Sequence, residues 1–259
     1  MGFEHILATK LVTELKCASH DRGSYSFPLY LYPTADMIKQ KNLLDISLWP
    51  PDETHGGRVP NLNPKFVEEM AQKLRLTFIP DAPGDLQTTF GPEDIFHYIY
   101  AIFHSPAYRT RYAEFLKIDF PRVPLTSNAD LFRSLCDMGK KLVGLHLLES
   151  PEVGQSITCY PVAGDNRVEK GFPKYTPPVE GQPGRVQLNK TQYFEGVPPE
   201  VWKFYIGGYQ VLLKWLKDRR GRQLSYNDLT CYQQIVAALQ KTLDLMENID
   251  NVIQEWPIH

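Results

Sequence analysis

Apolar residues recur at helical spacing in the first half of the chain and predict a helical subdomain there. A short helix is predicted after Asn63, which can cap it, and a longer one begins at Pro92. A further helix begins at Ser105, and another follows Ser127 or Asn128. These four patterns show the three- and four-residue spacing of helices that bury one face.

Two more helical patterns close the chain. The first starts at about Gln210 and ends near Gly221, and the second opens with a capping box from Ser225 to Asp228. The apolar face of the final helix is predicted to be buried. Its residues are Leu229, Tyr232, Ile235, Leu239 and Met246.

Aromatic and alternating residues between turn-forming residues predict strands in two other regions. The first is Ser26–Pro33, followed by a polar loop at Trp49–Phe66, and the second is Ser156–Tyr209. We therefore expect an α+β fold, in which a strand-rich recognition part is braced by the helical subdomain and the two closing helices. One domain over residues 1–259 is expected, with segments at 1–85 (strand and loop), 86–150 (helical), 151–209 (strand-rich) and 210–259 (closing helices).

Composition limits the class of protein. The chain has 259 residues, 42% hydrophobic and 22% charged, which is enough to bury a real core. Its four cysteines lie far apart without a CxxC pair, so we expect neither a zinc knuckle nor a disulfide framework. No apolar run approaches the roughly 20 residues of a membrane span, and the stretch "MGFEHILATKLVTELK" lacks the basic-then-apolar order expected of a secretion signal. These features favour a cytoplasmic protein that does not enter a membrane.

Positive charge is concentrated in one region, although the formal net charge is only −2. Val162–Thr230 holds eleven Lys and Arg residues against seven acids, and five of these cations lie in Lys214–Ser225. Two interpretations remain open. The five cations could bind a nucleic-acid backbone, or they could complement the dipole at a helix C-terminus and cover Trp215.

No catalytic or metal site is predicted. The sequence lacks a phosphate loop, an HExxH helix, a GxSxG elbow and the tetrapeptide of amino-methyltransferases. His97 and His104 share a helix face, but no third ligand has suitable spacing. We expect the chain to lack catalytic activity of its own.

The remaining polar residues suit contact with duplex DNA, because Arg pairs with guanine, Asn and Gln pair with adenine, and Lys holds phosphates. Predicted base readers are Arg185, Asn189, Lys190 and Gln192, on a polar strand. Predicted backbone contacts are Lys217, Arg219, Arg220 and Arg222. Arg58 and Asn61, in the earlier loop, are further candidates.

Four stretches of the chain resemble, in order, segments of the C-terminal specificity domain of type ISP restriction-modification enzymes. They are "SFPLYLYP" (Ser26–Pro33), "RVPNLNPKF" (Arg58–Phe66), "FGPEDIFHYIYAIFHSPAYRTRYAEFLKIDFPRVPL" (Phe90–Leu125) and the stretch from Tyr193 to Asp250. The resemblance covers nearly the whole chain. Members of that family are large polypeptides of bacterial defence that join a nuclease, an ATP-driven translocase, an adenine-specific methyltransferase and a target-recognition domain, and this chain resembles the last of these.

The resemblance implies sequence-specific recognition of double-stranded DNA. The chain would position a target adenine for an N6-adenine methyltransferase domain and license translocation and cleavage by other domains. No cofactor is expected in this chain, because S-adenosylmethionine, ATP and Mg²⁺ would bind the neighbouring domains. The alternative is an interaction scaffold that docks onto the methyltransferase and translocase domains with little DNA affinity of its own. Whether the chain is a part of such a polypeptide or a stand-alone subunit stays open.

Overall fold

A computed structural model describes residues 6–11, 25–32 and 57–258. The chain divides into two compact units, each described separately below. Unit 1 is formed mainly by Ser26–Lys140 and Glu247–His259, and unit 2 mainly by Lys141–Met246. The mixture of helices and short strands confirms the predicted α+β class. Residues 49–56 of the predicted loop at Trp49–Phe66 lie outside the described residues.

Unit 1 is mostly helical. Its strands are β1 (Tyr30–Leu31), β2 (Val59–Pro60), β3 (Thr77–Phe78) and β4 (Thr89–Phe90). Its helices are α1 (Pro64–Leu74), α2 (Pro92–His104), α3 (Pro106–Arg111), α4 (Ala113–Leu116) and α5 (Ala129–His146), whose last turns belong to unit 2. Strands β1 and β2 pair antiparallel, and β3 and β4 pair parallel.

The predicted caps of unit 1 are present. The Asn63 side chain accepts from the N–H of Lys65 at 3.0 Å, and the Ser105 side chain accepts from the N–H of Tyr108 at 3.0 Å. Asn128 caps α5 by accepting from the N–H groups of Asp130 and Leu131 at 3.0 Å each. Each cap satisfies backbone donors that have no partner within the helix, which is why these helices begin where the sequence predicted.

Two expectations for unit 1 were wrong in detail. The strand predicted at Ser26–Pro33 forms regular pairing only at β1. The helix predicted to continue from Pro106 is interrupted at Tyr112, whose backbone leaves the helical region, so that α3 and α4 are separate.

Gly139 lets α5 pack closely against α2, because a Cβ at residue 139 would lie 1.9 Å from the carbonyl oxygen of His97.

Unit 2 is built around a small antiparallel sheet. The sheet contains β5 (Lys174–Thr176), β6 (Arg185–Gln187) and β7 (Tyr193–Glu195), in that order. The remaining elements are a 3₁₀ turn (Pro151–Gly154), α6 (Pro199–Trp202), the hairpin of β8 (Tyr205–Ile206) and β9 (Tyr209–Gln210), α7 (Val211–Lys217) and α8 (Tyr226–Ile253), whose last turns belong to unit 1. Two parts of the predicted strand-rich region Ser156–Tyr209 are not strands. Residues 156–162 contribute only the bridge between Cys159 and Glu195, and Pro199–Trp202 forms α6.

The sheet of unit 2 packs on the two closing helices. Val186 and Phe194 from the sheet are buried with Leu212 and Leu216 of α7. The rings of Phe194 and Tyr232 lie 4.4 Å apart, which joins the sheet to α8. This core fixes the loops that emerge from the sheet and from the end of α7.

The predicted buried face of α8 is partly confirmed. Tyr232 and Leu239 are buried, while Leu229, Ile235 and Met246 are only half-buried. Other residues of α8, which were not predicted, are also buried: Val236, Ala237, Thr242 and Ile249.

Candidate nucleic-acid interface

Two basic segments that are far apart in the sequence meet on unit 2. Arg167 and Gln223 form an isolated antiparallel β-bridge. The N–H of Val168 donates to the carbonyl of Arg222 at 3.1 Å, and the N–H of Gly221 donates to the carbonyl of Val168 at 2.8 Å. The turn after α7 is therefore fixed against the loop that precedes β5.

The loop between β6 and β7 joins the same surface. The N–H of Glu169 donates to the carbonyl of Leu188 at 3.0 Å, and the side-chain amide of Asn189 donates to the carbonyl of Arg167 at 3.1 Å. We name residues 165–174, 188–192 and 217–224 the basic loops. They hold eight Lys and Arg residues against three acids.

Lys174 is exposed, and its Nζ lies 5.2 Å from the centre of the Phe172 ring. Four other exposed cations of the basic loops have side chains that form no ion pair, hydrogen bond or ring contact within the residues that the structure describes. They are Lys170, Lys190, Lys217 and Arg222. Arg167 and Arg220 are also exposed, and each donates to one backbone carbonyl, of Gly221 at 3.0 Å and of Phe172 at 2.9 Å. A guanidinium has five N–H donors, so most of theirs remain available. Cations gathered in this way repel one another, and a polyanion such as a phosphate chain would relieve that repulsion.

The prediction that Asn189, Lys190 and Gln192 lie on a strand was wrong, because they form the bend between β6 and β7. Lys190 is exposed. Asn189 is 4% exposed and Gln192 is 1% exposed, so the structure does not present these two amides to solvent.

The Gln192 amide uses its full hydrogen-bonding capacity inside the protein. Its Oε1 accepts from the N–H of Asn166 and from Nδ2 of Asn189, both at 2.9 Å. Its Nε2 donates to the carbonyl of Val162 at 3.1 Å and to Oδ1 of Asn166 at 2.8 Å. Gly164 leaves space for this amide, since a Cβ at residue 164 would lie 2.6 Å from Cδ of Gln192. The network holds two of the basic loops together.

Arg185, at the start of β6, is engaged by an acid. Its Nε donates to Oε1 of Glu195 at 2.8 Å, and its guanidinium lies 4.6 Å from the centre of the Tyr193 ring. The hydrogen bond to Glu195 raises the pKa of the Arg185 guanidinium. This side chain stabilises the β6–β7 pair and is not one of the unpaired cations.

Arg219 also belongs to the fold. Its guanidinium carbon lies 3.5 Å from the centre of the Trp215 ring, and Nη1 donates to the carbonyl of Trp215 at 3.0 Å. Its Nε lies 3.6 Å from Oδ1 of Asp228. Lys214 pairs with Asp218 in the same turn. Of the five cations in Lys214–Ser225, Arg219 therefore matches the structural interpretation, because it covers Trp215 and donates to a carbonyl at the end of α7. Lys214 is engaged by an ion pair.

Arg58 and Asn61 lie in unit 1 and are not part of the basic loops. Arg58 pairs with Asp81 and lies 3.9 Å from the centre of the Tyr30 ring. The side-chain amide of Asn61 donates to the carbonyl of Pro28 at 2.9 Å. Both side chains therefore have partners within unit 1.

The structure thus brings together four of the ten predicted residues as exposed cations: Lys190, Lys217, Arg220 and Arg222. It adds Arg167 and Lys170, which the sequence showed as cations among turn residues without indicating that they meet the segment after α7. DNA contact by any of the ten residues stays a prediction.

Within the described ranges, no group of His, Cys, Asp and Glu could hold a metal ion. No helix among the same residues is long and apolar enough to cross a membrane.

Comparison with known proteins assigns the chain to the specificity domains of restriction-modification enzymes. Residues 1–248 match the family model described as the type ISP C-terminal specificity domain. The chain therefore belongs to the type ISP C-terminal specificity domain family, as the resemblance of its sequence predicted. No curated protein matches it.

The solved structures that are similar to the chain include three DNA complexes. The DrdV–DNA complex has 18% identity and a TM-score of 0.53, and it is matched over 75% of this chain. The ATP-dependent type ISP restriction-modification enzyme LlaBIII bound to DNA has 17% identity and a TM-score of 0.50 over 74% of this chain. A nuclease-deletion mutant of the type ISP enzyme LlaGI, in complex with a DNA substrate mimic, has 25% identity and a TM-score of 0.45 over 60%.

The matched regions are small parts of these proteins. They cover 20% of the DrdV chain, 12% of the LlaBIII chain and 13% of the LlaGI chain. The similarities to DrdV and LlaBIII, at 18% and 17% identity, support the fold alone.

Proposed function

We propose that this chain recognises a duplex DNA target on behalf of a larger type ISP enzyme, with the basic loops as its contact to the phosphate backbone. The observation that carries the proposal is the meeting of three sequence-distant segments whose exposed cations have no acidic partner within the described residues. The DNA complexes of LlaBIII and DrdV support it, because both proteins share the fold of this chain.

The finer steps follow from the family. Binding would position a target adenine for an N6-adenine methyltransferase domain and license translocation and cleavage by the other domains. S-adenosylmethionine, ATP and Mg²⁺ would act in those domains, and the residues of this chain would supply affinity and orientation.

A salt titration tests the proposal. Each phosphate contact releases condensed counterions, so four unpaired cations predict that log K falls with log[salt] with a slope of about −4. The affinity for short duplexes is measured by fluorescence anisotropy at several salt concentrations. The double variant Lys217→Ala/Arg222→Ala is expected to reduce the slope by about two. Lys141→Ala, an exposed lysine of α5 outside the basic loops, is the matched control and is expected to leave the slope unchanged.

A slope near zero for the unmodified chain would contradict the proposal. It would favour the second candidate, a scaffold that docks onto the other enzyme domains. One observation on unit 1 favours that candidate: Phe115, Ile118 and Phe120 are exposed large apolar residues, and Phe120 contacts exposed Phe27 edge-on at 5.9 Å between ring centres.

A further inference from the structure

The end of the basic loops and the first residues of α8 carry polar side chains with unused hydrogen-bonding capacity. We name residues 222–227 the recognition segment. Gln223 and Asn227 are exposed, and their side-chain amides form no hydrogen bond within the residues that the structure describes. Tyr226, between them, is 81% exposed. All three side chains are exposed to solvent.

The backbone beneath these side chains is fixed. Gln223 lies in the bridge to Arg167, and the N–H of Leu224 donates to the carbonyl of Asn166 at 2.9 Å. Leu224 itself is 2% exposed and packs in the core of unit 2. Ser225 and Asp228 cap each other, with the N–H of Ser225 donating to the Asp228 carboxylate at 2.9 Å. A ligand would therefore meet side chains whose backbone needs no further ordering.

The neighbours of the segment are the cations that would hold a DNA backbone. Arg222 is the first residue of the segment, and Arg220 and Lys217 precede it by two and five residues. Phosphate contacts fix the position of a protein on the duplex, and base readers must extend from a surface held in that way. Amide side chains can read adenine with paired hydrogen bonds, and an aromatic ring can contact a thymine methyl group.

The other amides near this surface cannot do so in the observed structure. Both polar atoms of the Gln192 amide are occupied by four internal hydrogen bonds. Nδ2 of Asn189 donates to Arg167 and Gln192, and its Oδ1 accepts from the N–H groups of Thr191 and Gln192. Reading a base with either amide would require breaking this network.

We propose that Gln223, Tyr226 and Asn227 determine which DNA sequence the chain prefers, with Gln223 and Asn227 contacting base edges and Tyr226 lying against the bases beside them. This inference rests on the proposed function and narrows it to three side chains. It replaces the predicted base readers Asn189 and Gln192, which hold the loops in place.

The test is selection from a randomised duplex library with the complete 259-residue chain. The unmodified chain and the single variants Gln223→Ala, Asn227→Ala and Tyr226→Ala are compared, and the base preference at each position is read by sequencing. Each variant is expected to lose discrimination by about tenfold at one or two base pairs. Its affinity for duplexes outside the selected sequence is expected to change by less than about threefold, because the phosphate contacts remain.

Gln182→Ala is the matched control. Gln182 is also an exposed glutamine in an isolated β-bridge, with Val179, but it lies in the loop between β5 and β6, outside the basic loops. Its substitution is expected to leave every base preference unchanged. Gln223→Glu serves as a second variant, because a carboxylate accepts from cytosine and cannot donate to adenine, so the preferred base at one position is expected to change.

The outcomes separate the inference from the function on which it rests. If the unmodified chain enriches no sequence, the proposed function fails and the inference fails with it. If the chain enriches a sequence and all three recognition-segment variants keep its preferences at every position, the inference is overturned and the proposed function stands. Loss of discrimination confined to these variants, with melting temperatures equal to that of the unmodified chain, supports the inference.

Discussion

The bend at residues 188–192 and the recognition segment at residues 222–227 contain similar residue types but differ in the state of their polar groups. Both lie in unit 2, and both carry amides beside cations. In the bend the amides of Asn189 and Gln192 are buried and fully hydrogen-bonded, whereas in the recognition segment Gln223 and Asn227 are exposed. Residue type alone suggested DNA contact for the bend. The hydrogen bonds already made inside the protein decide which amide can bind a ligand.

Removing one glutamine side chain from each region tests this difference most directly. Gln192→Ala removes the side-chain partner of the Asn166 N–H and of the Val162 carbonyl. It also removes one of the two acceptors of the Asn189 amide. We expect the free energy of unfolding to fall by about 3 kcal/mol, measured by urea denaturation. Gln223→Ala, at an exposed position, is expected to change it by less than about 0.5 kcal/mol. Equal effects of the two substitutions would contradict the assignment of one amide to the fold and the other to the ligand.

A half-buried histidine extends the comparison to a titratable group. Burial lowers the pKa of His146 to about 4, and its Nε2 lies 3.0 Å from Oγ1 of Thr242. That hydroxyl donates to the carbonyl of Ala238 at 2.8 Å, so the neutral imidazole donates from Nε2. The pKa of an unfolded histidine is about 6.5, so unfolding takes up a proton as the pH falls below that value. Stability is therefore expected to fall from about pH 6.5 towards pH 4, by at most about 1.4 kcal/mol per pH unit.

Substitution isolates this contribution. His146→Gln is expected to make the pH dependence of urea denaturation shallower. Burial also lowers the pKa of His97 to about 4, and this residue still contributes to the pH dependence of stability in the variant. An unchanged slope in the His146→Gln variant would show that this imidazole is not held neutral.

The smallest predicted effect concerns a buried hydroxyl with no partner. The hydroxyl of Tyr232 is buried in the core of unit 2 and forms no hydrogen bond within the described part of the chain, and burial raises its pKa. Tyr232→Phe is expected to raise the free energy of unfolding by up to about 1 kcal/mol, because it removes a group that lost its hydration on folding.

Tyr98→Phe is the matched control. The Tyr98 hydroxyl is also on a buried tyrosine, but it donates to the carbonyl of Pro124 at 2.8 Å. Its loss is expected to lower stability by about 1 kcal/mol, in the opposite direction. Destabilisation by both substitutions would show that Tyr232 has a partner in solution.

The sequence predicted those features of the fold that depend on local chemistry. The caps at Asn63, Ser105 and Asn128, and the capping box at Ser225, lie where the residue types placed them, because a cap needs only its own side chain and the next turn. The first residues of these helices followed from them.

Features that depend on distant contacts were not predictable in the same way. The bridge between Arg167 and Gln223 joins residues 56 positions apart, and no local pattern indicates it. The burial of Gln192 depends on Val162 and Asn166, which approach it only in the folded unit. A polar strand and a polar bend have the same composition, so the sequence placed Asn189 and Gln192 on a strand and did not show that their amides are buried.

Lysine footprinting tests the central claim most directly, because it reports which amines a bound duplex covers. The chain is acetylated with and without a saturating concentration of the selected duplex, and modification at each lysine is measured by mass spectrometry. The account predicts that DNA slows the modification of Lys170, Lys190 and Lys217, while Lys141 and Lys203, exposed outside the basic loops, react as before. Unchanged reactivity at Lys170, Lys190 and Lys217, with the duplex bound, would contradict the account.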